Sequence, residues 1–276
     1  MATLSRSIPL LAVTAFGVGG MSLSAFCDAA VVVSAQCNIY GAGHAVAPNP
    51  GGNGGGLLPV QVTLPSGTSG VRFSGAGGTV LYCPSCGPAS GPDGANFAST
   101  MSSYGGISGI NSASRGRFLA GVFLDDSVPA DPAPAVLVFS NYSFASISPV
   151  LRQTFYIGDG QTGTDSGAAQ VFLPPAGATR LFLGLFDSIS TLPGWYDDNS
   201  GSFTINVNIA TCPGDLNTDG LVDDSDFVIF VGAYNILVCA DPAMPAGCPA
   251  DFNGDTLVDD ADFSVFVVAY NGLLCP

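Results

Sequence analysis

Two copies of one acidic loop, which begin at Asp215 and at Asp251, carry the clearest chemistry in this chain. Each copy places Asp or Asn at alternate positions, and the copies are offset by thirty-six residues. Calcium is a hard cation that takes about six to eight oxygen ligands, and a curling loop directs alternate side chains towards one centre. The repeat therefore predicts two calcium sites.

The predicted ligands occupy positions 1, 3, 5, 7, 9 and 12 of a twelve-residue calcium loop, with a backbone carbonyl at position 7. In the first loop they are Asp215, Asn217, Asp219, Leu221, Asp223 and Asp226. In the second loop they are Asp251, Asn253, Asp255, Leu257, Asp259 and Asp262. Position 6 differs between the copies, because Gly220 tolerates the positive φ of the turn whereas the β-branched Thr256 is strained there. We therefore expect the second loop to bind calcium more weakly or to bend differently.

Apolar side chains at helical spacing follow each loop. They are Phe227, Phe230, Val231 and Tyr234 in the first copy, and Phe263, Phe266, Val267 and Tyr270 in the second. Spacings of three and four residues place each set on one helix face, so we predict two helices that pack through these faces. Residues 212–276 contain 11 Asp and neither Lys nor Arg, and this negative charge favours bound cations.

This duplicated loop-and-helix unit resembles the type I dockerin modules, whose calcium loops carry Asp at position 12 and are each followed by a helix. The resemblance covers roughly the last sixty-five residues. It implies a cohesin-like protein as the partner, and a place among secreted proteins of polysaccharide degradation. The partner-recognition positions of that family fall on Asp224, Ser225, Asp260 and Ala261.

Eight cysteines in an exported chain predict disulfide bonds. Four of them follow the repeat, and two pairings respect its symmetry: Cys212–Cys275 with Cys239–Cys248, or Cys212–Cys239 with Cys248–Cys275. We favour the first pairing, which joins the two ends of the module. Cys83 and Cys86 are close enough in sequence to bridge each other. A redox role for this C-x-x-C motif is the alternative, although no βαβ context surrounds it.

The first thirty residues have the features of a secretory leader: Arg6, an apolar run from Ile8 to about Met21, and small residues after it. An uncleaved anchor is the alternative, but the run is short and Gly-rich. We therefore expect a secreted or cell-surface protein of bacterial type, without a membrane span once the leader is removed. A net charge of −15 argues against nucleic acid as a partner, because few basic groups are present to neutralise phosphates.

Residues 31–210 are predicted to form a β domain, because short apolar runs alternate with turns rich in Gly, Pro and Asn. The predicted strands cover residues 31–40, 59–64, 118–124, 135–139, 153–157, 170–173, 180–186 and 202–209. The chain contains neither Glu nor Lys, which argues against a helix-rich domain. The predicted fold class is mainly β: a leader over 1–30, a β-sandwich over 31–210, and a small α-helical calcium module over 211–276.

One loop of the β domain has the residues of a further cation site. A predicted strand ends at Asp187, and Asp198 and Asn199 precede the last strand. Side-chain oxygens at both loop ends, with carbonyls between them, can hold calcium. A calcium ion with open coordination positions can bind two vicinal sugar hydroxyls, and Trp195 offers a flat apolar face for the sugar ring. The alternative is a polar hairpin loop with a packing tryptophan.

This segment resembles the calcium site of the bacterial galactophilic lectin I family, which are small β-sandwich lectins. The matching segments are Pro193-Gly194, the run 199–203, and Gly91-Pro92-Asp93-Gly94 with Tyr82 upstream. The resemblance implies calcium ligands from the side chains of Asp187, Asp198 and Asn199, and from the backbone oxygens of Tyr82 and Trp195. Asp187, Asp198 and Tyr82 would also contact a glycan, of galactose type in that family. Residues 95–165 have no counterpart in those short lectins.

We predict a binding protein rather than an enzyme. The chain has no Glu, its one histidine is His44, and no nucleophile motif accompanies it. Asp125 and Asp126 are adjacent, so on a strand they point to opposite faces and cannot share one substrate. Two alternatives stay open: a structural or surface-assembly protein whose calcium only stabilises the fold, and a component of a polysaccharide-degrading system.

Overall fold

The structure is a computed structural model that describes residues 27–65, 67–163, 166–189, 191–217, 221–245 and 247–272, without the side chains of 27–29 and 189. Most of the predicted leader thus lies outside the described residues. The fold is mainly β with two helices near the C-terminus, as predicted. No helix among the described residues has the length and apolar character needed to cross a membrane.

The strands are mostly short. They are β1 (Cys27–Ser34), β2 (Val60–Thr63), β3 (Thr68–Leu81), β4 (Ser99–Thr100), β5 (Ile110–Ser112), β6 (Ala120–Leu124), β7 (Leu137–Phe139), β8 (Ser146–Ile147), β9 (Thr154–Tyr156), β10 (Val171–Phe172), β11 (Arg180–Gly184), β12 (Ser188–Ile189), β13 (Leu192–Pro193) and β14 (Ser200–Thr211). The helices are α1 (Asp224–Ile236) and α2 (Asp260–Gly272), and short 3-10 turns cover Ile39–Gly41 and Tyr196–Asp198.

Two larger sheets share one hydrophobic core. The five-stranded sheet has the order β1-β14-β3-β10-β8, and the four-stranded sheet has the order β2-β11-β6-β9. Phe172 of the first sheet and Phe155 of the second have ring centroids 5.4 Å apart. Phe73 packs on Phe172, and Phe123 packs on Phe155, both at about 5 Å. These rings join the apolar faces of the two sheets.

Each of the eight predicted strand segments contains an observed strand, although β1 begins earlier and ends at Ser34, before the 3-10 turn that follows. The long strand β3 was not predicted. It contains four glycines, which resemble turn residues, yet it pairs antiparallel with β14 along most of its length. Gly75 and Gly78 adopt positive φ beside the register shift opposite Thr204 and Asn206. Glycine is favoured at these two positions because they accommodate the irregularity.

The helices form a second, smaller hydrophobic cluster with Val222, Ala250 and Val258. Phe230 of α1 and Phe266 of α2 are both buried, and their ring centroids lie 5.0 Å apart. The predicted faces therefore meet, although the outer members of each stripe, such as Phe227 and Phe263, stay partly exposed. The two repeats bury only the middle of their apolar stripes.

Candidate functional site

Asp187 lies just beyond the end of β11, and buried groups hold its backbone in place. The hydroxyl of Tyr196 donates to the Leu185 carbonyl at 3.1 Å and accepts the Asp187 N–H at 2.9 Å. The Tyr196 side chain is fully buried. Leu185 also donates its N–H to the Cys37 carbonyl at 2.8 Å. The start of the loop is therefore anchored in the core, and Tyr196 is an anchoring residue that the sequence analysis missed.

The other end of the loop is anchored through Asn199. Its side-chain amide donates to the Ala35 carbonyl at 3.0 Å, and its N–H donates to the Tyr196 carbonyl at 3.2 Å. Asn199 is only 4% exposed. Gln36 donates to the Asp197 carbonyl at 2.9 Å. The chain that enters β14 is thus fixed to the segment after β1, which also binds Leu185 through the Cys37 carbonyl.

Two buried oxygens at these loop ends have no hydrogen-bond donor. They are Oδ2 of Asp187 and Oδ1 of Asn199, and neither has a partner anywhere in the described part of the chain. A buried polar group left without a partner costs about 1–3 kcal/mol. A hard cation between the loop ends would satisfy both oxygens, and these atoms belong to the donor types that calcium prefers. The donor chemistry of these residues therefore fits a calcium ion.

The electrostatics of Asp187 also favour a bound cation. Burial raises the pKa of its carboxyl to about 7, while the Ser188 N–H and the Asn199 side chain lower it and the negative charge of Asp198 raises it. The Arg117 guanidinium has a smaller lowering effect on this pKa. A carboxyl with such a pKa is only partly ionised near neutral pH. A bound cation favours the charged form and would draw the proton off.

Tyr82 lies near Asp187. Its hydroxyl donates to the Phe186 carbonyl. Burial raises its pKa well above the ordinary value, and the neighbouring Asp187 raises it further. The guanidinium of Arg117 lies 5.5 Å from the Tyr82 ring centroid and donates to the Cys86 carbonyl at 2.8 Å. Arg117 is a second residue that the sequence analysis missed, since no spacing pattern connects it to this loop.

Trp195 presents an open face beside these groups. It is 38% exposed, and its backbone adopts a left-handed φ of 66°. Its N–H donates to the Gly52 carbonyl at 3.1 Å, and the neighbouring Gly194 donates to the Asp187 carbonyl at 3.4 Å. Asp198 is exposed. The structure thus brings the five predicted site residues to one region, with two buried oxygens and an exposed aromatic ring.

The second acidic loop curls around the carboxylate of Asp251. This carboxylate accepts the N–H groups of Gly254 at 2.8 Å, Asp255 at 3.2 Å and Thr256 at 2.9 Å. Asn253 accepts the N–H of Asp255 at 2.9 Å, and Asp255 accepts the N–H of Leu257 at 2.9 Å. Thr256 has a φ of 74°, so the strain expected at position 6 is present. Each alternate side chain therefore shapes the loop through a backbone donor.

The carboxylates at position 12 join each loop to its helix. Asp262 is buried and accepts the N–H groups of Phe252 at 2.7 Å and Asp259 at 3.0 Å. Asp226 makes the equivalent bonds, to Leu216 at 2.7 Å and Asp223 at 3.0 Å. Carboxylate oxygens have further lone pairs, so these bonds leave room for a cation.

The first loop is described only in part. Asp215 is buried, Asn217 is exposed, and the Asp223 side chain caps α1 by accepting the Ser225 N–H at 2.8 Å. Leu221 is exposed. Two predicted elements of this loop, the ligand Asp219 and the turn residue Gly220, lie outside the described residues.

Reciprocal hydrogen bonds connect the two repeats. The Tyr234 hydroxyl donates to Asp260 at 2.6 Å, and the Tyr270 hydroxyl donates to Asp224. Each tyrosine near the end of one helix thus holds the carboxylate at position 10 of the other repeat. These carboxylates are two of the partner-recognition positions implied by the dockerin resemblance, so their orientation depends on the opposite repeat.

Cys239 and Cys248 form a disulfide bond, as do Cys83 and Cys86. The first bond confirms that half of the favoured pairing and excludes the alternative of Cys212–Cys239 with Cys248–Cys275. Cys212 is also disulfide-bonded, whereas Cys275 lies outside the described residues. The sulfurs of Cys239 and Cys248 lie near the Asp251 carboxylate, but they cannot act as thiolate ligands while they are bonded to each other.

No protein-family model matches this chain, and no curated protein matches it with significance.

Proposed function

We propose that this is a secreted, calcium-dependent carbohydrate-binding protein with a lectin-like β-sandwich. The single observation that carries the proposal is the pair of buried oxygens on Asp187 and Asn199, which lack donors. They belong to the two ends of one loop, and the exposed Trp195 lies in the same loop, which supports a calcium-mediated sugar site. The shared core of the two larger sheets is compatible with the sandwich.

Each side chain has a definite part in this proposal. Asp187, Asp198 and Asn199 would hold the ion through side-chain oxygens, and Tyr82 and Trp195 through backbone oxygens. The bound ion would supply open coordination positions for two vicinal sugar hydroxyls. Asp187 and Asp198 would accept hydrogen bonds from those hydroxyls, because ionised carboxylates are strong acceptors. The ring of Trp195 would contact the C–H face of the sugar.

The C-terminal repeat would serve as a calcium-stabilised attachment module for a cohesin-like partner on the cell surface or in a polysaccharide-degrading assembly. Its curled loops and buried position-12 carboxylates support this assignment. The acidic side chains at position 10 and the exposed parts of the apolar stripes offer contact groups for the partner.

We propose a binding role without catalysis. His44 contacts the Gly105 carbonyl through Nε2 at 2.8 Å. Asp125 accepts the Ser127 N–H at 3.0 Å, and Asp126 accepts the Thr179 hydroxyl at 2.6 Å. These groups form turn and strand contacts of their own.

The test is glycan-array binding of the full chain in calcium and in excess EDTA, for the native protein, Asp187→Ala and the matched control Asp126→Ala. We expect EDTA and Asp187→Ala each to abolish binding, and Asp126→Ala to keep it. Fluorescence of Trp195, the one tryptophan in the chain, should change on calcium addition in the native protein and in the control only. A calcium-dependent fluorescence change without any glycan binding would instead favour the structural role. The proposed site is contradicted if Asp187→Ala binds glycans as well as the native protein does and EDTA does not reduce this binding.

A further inference from the structure

A polar cavity lies mostly within the stretch 95–165 that the short lectins lack, and Asp93 is its one lining residue outside that stretch. It has a volume of about 230 Å³. Its lining includes Asp93, Arg115, Ser140, Asn141, Tyr142 and Thr162. None of these residues belongs to the loop site of Asp187. We propose that this cavity binds one neutral sugar unit without calcium.

The walls of the cavity are held in place before any ligand binds. The Tyr142 hydroxyl lies 2.6 Å from Ser112 Oγ and accepts the Ser114 N–H at 3.1 Å. Asp93 accepts the Tyr156 hydroxyl at 2.9 Å and the Asp159 N–H at 3.0 Å. Fixed polar groups do not have to be ordered when a ligand arrives, and this lowers the cost of binding.

The two sides of the cavity are also joined to each other. The Ser143 hydroxyl donates to the Thr162 carbonyl, which connects the segment after β7 with the segment after β9. The Thr162 hydroxyl accepts the Ala168 N–H at 3.1 Å. The cavity is therefore built from residues between β5 and β10 together with Asp93.

The lining chemistry selects the ligand class. Hydroxyl and amide side chains predominate, and they can donate to and accept from a ligand that carries hydroxyl groups on every edge. Arg115 and Asp93 bring one charge of each sign, and the Arg115 guanidinium lies 5.6 Å from the Tyr142 ring centroid. A neutral ligand suits this balance, whereas an anion would meet Asp93 and a chain of net charge −15. A single sugar ring matches the volume and the polarity.

Ser140 provides a matched pair of variants. Its side chain is exposed at the cavity, so Ser140→Phe places a ring in the space while the hydrogen-bonded walls stay intact. Ser140→Ala leaves the cavity open. The assay is saturation-transfer NMR in excess EDTA, with methyl glycosides of neutral hexoses, N-acetylhexosamines and pentoses as probes. For a ligand of about thirteen non-hydrogen atoms we expect a Kd on the order of 1 mM.

We expect EDTA-resistant signals for the native chain and Ser140→Ala, and their loss in Ser140→Phe. Asp187→Ala should keep these signals, because this site does not depend on the loop site, and Arg115→Gln should weaken them at least severalfold. Trp195 fluorescence and circular dichroism show whether each variant folds. The proposal is overturned if no neutral glycoside gives an EDTA-resistant signal, or if Ser140→Phe binds as well as Ser140→Ala. None of these outcomes depends on the calcium-dependent site, which the array in calcium tests separately.

Discussion

Replacing Asp187 by Asn should stabilise the calcium-free protein while it abolishes calcium binding in the loop. The carboxyl of Asp187 is buried, and one of its oxygens has no hydrogen-bond partner among the described residues. Burial raises its pKa from the ordinary value of 3.8 to about 7. The folded state therefore holds the proton more tightly than the unfolded state does, so the free energy of unfolding falls as pH rises from about 4 to 7.

The size of this effect follows from the same pKa. A rise from 3.8 to about 7 corresponds to about 4 kcal/mol, at about 1.36 kcal/mol for each pH unit. Above pH 7 the calcium-free native protein has lost this amount, whereas Asp187→Asn cannot ionise and loses nothing at this position. We expect similar stabilities at pH 4 and an advantage of up to about 4 kcal/mol for Asp187→Asn at pH 8. Calcium at more than about 1,000 times its Kd should reverse the order at pH 8, because it then stabilises only the native loop, by more than about 4 kcal/mol.

The assay is urea unfolding in excess EDTA at several pH values, followed by the fluorescence of Trp195, which reports on the β domain alone because the C-terminal repeat has no tryptophan. Contributions from carboxyl groups that do not interact with Asp187 are common to both proteins and cancel in the difference. Parallel pH dependences for the native chain and Asp187→Asn would show that Asp187 ionises as freely as an exposed carboxyl, and would refute the reasoning.

Three further predictions concern the C-terminal repeat. Excess EDTA should lower the melting temperature of the helices. The free energy of unfolding should fall by about 2.7 kcal/mol if the free calcium that is removed was at 100 times its Kd. An unchanged melting curve by circular dichroism would contradict the calcium assignment. Tyr234→Phe and Tyr270→Phe should each lower that melting temperature by a similar amount, since each removes one of two equivalent bonds, and a loss confined to one variant would contradict the symmetry. Thr256→Gly should raise the stability of the calcium-loaded repeat by about 1 kcal/mol, because a left-handed non-glycine residue costs on the order of 1–3 kcal/mol. A calorimetric calcium titration should show tighter binding for this variant. Weaker binding would contradict the backbone strain at Thr256.

The parts of the fold that follow local patterns could be predicted from the sequence. Alternating apolar residues in β14 and the continuous apolar run of β6 gave correct strands, and helical spacing gave α1 and α2. The strand β3 was not predicted because its glycines are typical of turns. Only the pairing with β14 shows that Gly75 and Gly78 lie in an irregular strand. Tertiary pairing overrides local preference at such positions.

The candidate site also combines residues that could be predicted from the sequence with residues that could not. Its candidate oxygen ligands could be proposed because Asp187 follows one predicted strand and Asp198 and Asn199 precede another. The structure holds Asp187 and Asn199 at the two ends of the loop. The residues that position or polarise them could not be proposed in this way. Tyr196 acts through a hydroxyl that reaches back to the backbone at Leu185 and Asp187, and Arg117 comes from a distant segment of the chain. Contacts of this kind depend on the folded path and leave no spacing in the sequence.

The two kinds of proposed calcium site differ in what the protein itself supplies. At position 12 of the acidic loops, Asp226 and Asp262 already accept several backbone N–H groups, so these carboxylates keep partners when calcium leaves. At the Asp187 loop, one oxygen of Asp187 and one of Asn199 have no donor in the described structure. Removal of calcium should therefore leave the acidic loops folded around their own hydrogen bonds but less stable. The same removal should leave the Asp187 loop with a carboxyl that takes up a proton near neutral pH. Sugar binding at the Asp187 loop should therefore depend more strongly on calcium than binding of the partner protein by the C-terminal repeat does.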